Sequence, residues 1–285
     1  MLLAHLLVSV AVHRATAGAW LRAPGETYAK AALFRSRGVE EFDGAGKRRP
    51  LFDPALVESG RYLELGGSLY AEHGLSRDVT LFASAFLKIA DLEARDREVA
   101  SDVSGLSIGI PDLHLGARLP LSRGRWAAAL EPNVSIPLQA VDRLTEDSPQ
   151  IGNGSATFAL SAAGGYPLPL ANGYAQASAG YRLRAGREPN EWFGDAETGV
   201  SPWGPMRLRI RYDQVDAQRV ESDMRGSLSA DAGARNARRI APTVALGWRG
   251  GGELSLTWRR TLSGKSALRG SEWELAYAFL GIVRR

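Results

Sequence analysis

Apolar residues recur at every second position through most of this chain. Between Val79 and Ile89, the residues Val79, Leu81, Ala83, Ala85, Leu87 and Ile89 share one parity. Thr80, Phe82, Ser84, Phe86 and Lys88 take the other. A helix would scatter each set around its axis, whereas a strand keeps each set on one side. The same period runs through 63–72, 126–138, 206–213, 243–249, 253–259 and 273–279. With turn residues as boundaries, about twelve strands are predicted, at 25–37, 58–73, 77–92, 105–120, 125–138, 153–167, 173–186, 190–201, 204–216, 239–249, 252–263 and 271–283. The fourth changes parity at Pro111, which predicts a bulge or kink there.

The connections fall into two classes. Tight turns centre on Gly74–Ser76, Ser122–Gly124, 168–172, Pro202–Trp203 and Gly250–Gly251. Longer charged segments, 38–57, 93–104, 139–152 and 217–238, mostly alternate with them, while 187–189 is brief and 264–270 intermediate. Short turns at one end and long loops at the other are the signature of an outer-membrane barrel. Strands of this length can cross an apolar band at a tilt, and closure pairs every backbone group. The expected fold is therefore all-β: a closed antiparallel up-and-down transmembrane β-barrel of about twelve strands. Leu63, Leu81, Leu130, Leu208, Leu256 and Leu275 are expected to face lipid.

Composition narrows the chemistry. The 285 residues contain no Cys, which excludes disulfides, thiolate metal sites and thiol nucleophiles. The net charge of +4 is too mild to imply nucleic acid. A mean hydropathy of −0.17 speaks against helical membrane spans but not against a barrel, whose strands carry one polar face. At the front, an apolar run Leu2–Val12 precedes Ala15-Thr16-Ala17, a small-x-small pattern. Residues 1–17 are therefore expected to be a signal peptide and 18–285 a single barrel domain.

Several stretches carry a family resemblance. They are Asp112-Leu113-His114-Leu115-Gly116-Ala117-Arg118-Leu119 followed by 126–138, and Ala179-Gly180-Tyr181-Arg182-Leu183-Arg184 leading to Pro189-Asn190-Glu191-Trp192. With Gly18-Ala19-Trp20 and Gly25-Glu26-Thr27-Tyr28-Ala29-Lys30, they resemble a bacterial outer-membrane β-barrel family similar to the phenol meta-pathway outer-membrane proteins. The resemblance implies a Gram-negative, porin-like protein associated with transport of hydrophobic or aromatic compounds. The final strand departs from the usual aromatic ending, since Leu280 to Arg285 follow Phe279.

If the apolar face meets lipid, the other face lines the lumen. The lumen-lining candidates are Lys88, Asp112, His114, Arg118, Glu131, Arg182, Asp195, Glu197, Arg207, Arg209 and Arg211. Both signs are present, so cross-strand ion pairs that fill the barrel compete with a conduction path as the reading of this face. Arg207, Arg209 and Arg211 share one strand face and need neighbouring acids. The turn at Pro202–Trp203 would set Arg207 and Arg209 near Glu197 and Asp195, with Arg182 near Asp195 on the other side. That predicts a basic–acidic–basic stripe over three strands.

Only His73 and His114 remain after the leader, and no catalytic motif, metal centre or phosphate loop is visible. No enzyme activity and no cofactor are expected. The expected partners are outer-membrane lipid, the barrel-assembly machinery and a small-molecule solute of unknown identity, without nucleic acid. Lipopolysaccharide is a candidate partner for Lys47-Arg48-Arg49, Arg225, Arg235 and Arg238. Trp126, Trp192, Trp248 and Trp273 suit the membrane interface, and Trp258 a lipid-facing position. The two functional readings are a channel for small or hydrophobic solutes and a non-conducting surface barrel with a plugged lumen.

Overall fold

The alternation of apolar and polar residues becomes strand geometry throughout the described chain. The computed structural model describes residues 19–52, 55, 57–96, 102–138, 149, 151–152, 154–169, 172–186, 189–218, 236–248 and 250–282. The leader prediction for residues 1–17 lies outside them, as do Arg225 and Arg235.

The strands are β1 (Glu26–Phe42), β2 (Arg48–Pro50), β3 (Val57–Gly74), β4 (Thr80–Asp96), β5 (Asp102–Gly109), β6 (Asp112–Arg123) and β7 (Ala127–Pro137). They continue as β8 (Thr157–Leu168), β9 (Gly173–Arg184), β10 (Glu191–Trp203), β11 (Met206–Ala217), β12 (Asn236–Gly247), β13 (Gly252–Lys265) and β14 (Ala267–Ile282). Every pairing is antiparallel, and each main strand pairs with its sequence neighbour. β14 then pairs with β1 from Glu26↔Ile282 to Phe42↔Ala267. The result is a closed barrel of 12 staves with two extra strands. Closure leaves no free sheet edge along β1 and β14, the condition for a sheet that crosses lipid.

The fourth stave is built from β5 and β6. Against β4, Gly109 opposes Lys88 while Leu113 opposes Ala85. Four steps on one strand thus face three on the other, and the extra residue falls beside Pro111, at the position where parity changes. Beyond β7, Pro149 comes to the inner face of β5. Ser107 Oγ donates to the Pro149 carbonyl at 2.7 Å.

Two expected boundaries move. The connection at 264–270 is absorbed into β13 and β14, which meet at Ser266 in the left-handed region (φ 48°). The loop after β1 turns back as β2, so that Glu40–Phe42 pair with Arg48–Pro50. At the opposite end, Gly250 and Gly251 hold φ values of 101° and 85° in the tight β12–β13 turn, a conformation that a side chain would strain.

The two faces of the wall differ as a membrane requires. Leu33, Leu69, Leu81, Leu87, Ile108, Val244, Leu256 and Leu275 are exposed on the outside. Leu63, Leu130 and Leu208 share that face by parity and are partly covered. Ring pairs Trp126–Tyr166, Tyr181–Trp192, Trp248–Tyr277 and Trp258–Trp273 border this apolar belt. Amphipathic rings at that level are characteristic of barrels in lipid. The opposite face holds Glu64, Glu72, Lys88, Arg118 and Glu253, each at most 5% exposed. Charges so deeply covered on a barrel with an open exterior lie inside it.

Candidate functional site

The interior is obstructed at the short-turn end by the segment before β1. Arg22 is 4% exposed, and its Nε donates to Glu72 Oε2 at 2.5 Å. Its backbone N–H donates to Thr80 Oγ1 at 2.9 Å, and its guanidinium lies 4.8 Å from the Tyr28 ring centre. Arg118 reaches the same carboxylate from β6. Its Nη1 lies 3.3 Å from Glu72 Oε1 and donates to the Trp20 carbonyl at 3.1 Å, while its Nε donates to Glu131 at 2.5 Å. Tyr70 adds a phenolic donor to Glu72 at 2.6 Å. Two guanidiniums and a phenol thus converge on one carboxylate that is 1% exposed. Charge-assisted bonds of this kind offset the desolvation of the ions, and removing one partner strands the others.

Packing completes the obstruction. The Trp20 indole meets Tyr174 edge-on at 6.0 Å. Gly165 provides its seat, because a Cβ there would stand 2.5 Å from the indole Cη2. Ala19 packs on Ala127 and Ala163, small residues on the inner faces of β7 and β8. The segment is held chiefly by side chains. Its backbone meets a strand's backbone where the chain enters β1, with the Gly25 N–H donating to the Gly74 carbonyl at 2.8 Å.

At the opposite mouth, Tyr62, Ala90, Leu92 and Ile151 form an apolar cluster with Leu51, Phe52 and Leu268. Just below it, Lys88 Nζ stands 3.2 Å from Glu64 Oε1, and Tyr62 donates to Glu64 at 2.6 Å. The interior therefore has an apolar upper mouth, a charged middle and a latched lower end.

The sequence-derived candidates are distributed through these levels. Arg118 and Glu131 belong to the latch, and Lys88 pairs with Glu64. Asp112 and His114 lie on the inner face of β6, where His114 meets the Phe86 ring edge-on at 6.1 Å. Asp195 accepts from Ser178 at 2.5 Å and lies 3.5 Å from Arg211. Glu197 accepts from Tyr174.

The expected three-strand stripe is corrected. Glu197 opposes Arg211 and Gly199 opposes Arg209, because β10 runs on through Trp203 with a bulge after Val200. Arg209 therefore has a glycine, not an acid, across the ladder. Arg207 and Arg209 instead reach over β12 to Glu253 on β13, at 2.5 and 2.7 Å. The intervening inner positions are the small residues Thr243, Ala245 and Gly247, which leave room for this reach. Arg182 opposes Glu191, not Asp195, and donates to it together with Arg184. Sequence reasoning missed Trp20 and Arg22. The available signal was a large ring and a cation standing between the small-x-small motif and the first strand.

No protein-family model matches the sequence, and no curated protein matches it. Solved structures do match by shape. The COG4313 outer membrane channel from Pseudomonas putida F1 superposes with a TM-score of 0.68 at 14% identity, over 91% of this chain and 97% of that one. This chain has the fold of a bacterial outer-membrane β-barrel. The transport unit of the autotransporter AIDA-I from Escherichia coli gives a TM-score of 0.52 at 11% identity, covering 89% and 90% of the two chains. The NanC porin gives 0.50 at 8% identity, covering 87% and 98%. The barrel shares their architecture.

Proposed function

We propose that the protein is a non-enzymatic outer-membrane channel for small or hydrophobic solutes, closed at its short-turn end by residues 19–23. The observation that carries this reading is the way the segment is held. Its lock is the Arg22–Glu72–Arg118 cluster and the Trp20 seat, rather than a strand ladder. Side-chain contacts can be exchanged without breaking the barrel wall. The likeness in fold to an outer membrane channel supports the same reading. The apolar upper mouth favours solutes with hydrophobic surface, which Leu51, Phe52 and Leu268, the partly exposed members of its cluster, can meet.

Planar-bilayer recordings test the reading. Folded protein lacking residues 19–23 is expected to conduct more, or open more often, than the full chain. Silent bilayers with both forms, each shown to be folded, would instead support the non-conducting surface barrel.

A further inference from the structure

We propose that Arg35, Arg37 and Arg260 form a docking site on the outer wall for the phosphorylated headgroup of an outer-leaflet glycolipid of the lipid A type. The inference rests on the outer-membrane reading and goes beyond it.

All three side chains share the outward face and are exposed. Among the described residues, none of the three has an ion-pair partner. Several other cations near the long-loop end are matched: Arg61 with Glu93 at 2.6 Å, Arg95 with Glu58 at 3.5 Å, and Arg269 with Glu40. Arg35, Arg37 and Arg260 lie together. Arg37 opposes Ser271 on β14, and Ser271 opposes Arg260 on β13. Two strand spacings put the backbones of Arg37 and Arg260 about 10 Å apart, and Arg35 follows Arg37 along β1 by about 7 Å. The Ser271 hydroxyl, on the same face, adds a donor between two guanidiniums.

Their level on the wall identifies the occupant. The next row towards the barrel middle reads Arg35, Trp273, Trp258, with the two indoles 6.4 Å apart. Below it stand Leu33, Leu275 and Leu256, exposed and apolar. Two guanidiniums above an indole pair, a third beside it and an apolar wall beneath match an amphiphile with phosphate above and acyl chains below. A guanidinium fork binds phosphate oxygens in pairs, and three close like charges repel one another until an anion sits among them. The patch lies toward the long-loop end, which the outer-membrane reading places in the outer leaflet. On the far side of β3, the Arg37 row meets Leu63 and then Asp91, where the basic patch ends.

The experiment measures binding of diphosphoryl lipid A to the purified barrel in neutral detergent, by native mass spectrometry. Dephosphorylated lipid A, phosphatidylglycerol and inorganic phosphate are the comparison probes. Diphosphoryl lipid A is expected to bind at least about tenfold more tightly than its dephosphorylated counterpart, and to weaken by a similar factor in the Arg35→Gln, Arg37→Gln, Arg260→Gln variant. Arg123→Gln, at a short turn on the opposite side of the membrane, is expected to leave binding unchanged. Heat-modifiable migration on gels checks that each variant is folded. The wild-type comparison among probes needs no variant, so it decides even if the triple variant fails to assemble. Equal binding of the two lipid A forms, or of phosphatidylglycerol and diphosphoryl lipid A, overturns the site while leaving the membrane reading intact. Stronger binding of inorganic phosphate than of lipid A overturns it as well. A barrel that takes up none of the lipids contradicts the membrane reading itself.

Discussion

At the residue scale, one carboxylate organises the closed end. Glu72 accepts from Arg22, Arg118 and Tyr70 while almost fully buried. Glu72→Ala leaves two guanidiniums without their shared acceptor, and breaking a buried pair in this way costs about 3–5 kcal/mol. Urea unfolding in detergent is expected to show a loss of that order, and bilayer recordings more frequent opening; unchanged stability would remove Glu72 from its central role. The arginine row makes a second prediction. A double-mutant cycle on Arg209→Ala and Glu253→Ala should give a coupling of about 0.5–3 kcal/mol, whereas Arg209→Ala with Asp195→Ala should be additive. Alternation made the inward side of these residues legible in the sequence. It did not make their partners legible, because a bulge after Val200 and three small residues on β12 decide which acid Arg209 reaches. Neither feature has a periodic signature.

At the element scale, the staves follow from the period of two and the turns from their Gly, Pro and Asn residues. The twelve-fold count and the kink at Pro111 were both readable, since parity reverses there. The short joint at Ser266 was not, because 264–270 contains Gly, Ser and Lys residues that also suit a loop. Outward leucines give this scale its test. Leu256→Arg or Leu275→Arg places a cation on the apolar belt, at a cost of about 2–4 kcal/mol if it lies near mid-membrane. Folding titrations into lipid vesicles should read that loss, and wild-type stability for both variants would contradict the assigned face. A strand position also controls the obstruction. Gly165→Val is expected to expel Trp20 from its seat, shifting indole fluorescence towards the red while the barrel stays folded. An unshifted spectrum would show that Trp20 keeps its place by other contacts.

At the scale of the whole molecule, a closed wall of strands encloses an interior that holds residues 19–23, the proposed closure, at its short-turn end. The wall was legible because it repeats; the closure was not, because residues 19–23 carry no period and their meaning depends on Glu72, Arg118, Tyr174 and Gly165, each on a different stave. Residues 19–23 are expected to act as a removable closure. A reversible crosslink tests it directly, since the chain has no native Cys to interfere. Ala19→Cys and Ala163→Cys join two residues of the buried cluster against which Trp20 packs. In a planar bilayer, the oxidised protein is expected to stay closed and to open on addition of reductant, returning to silence on reoxidation. Identical conductance in the oxidised and reduced states, with the disulfide verified by mass, would contradict the account.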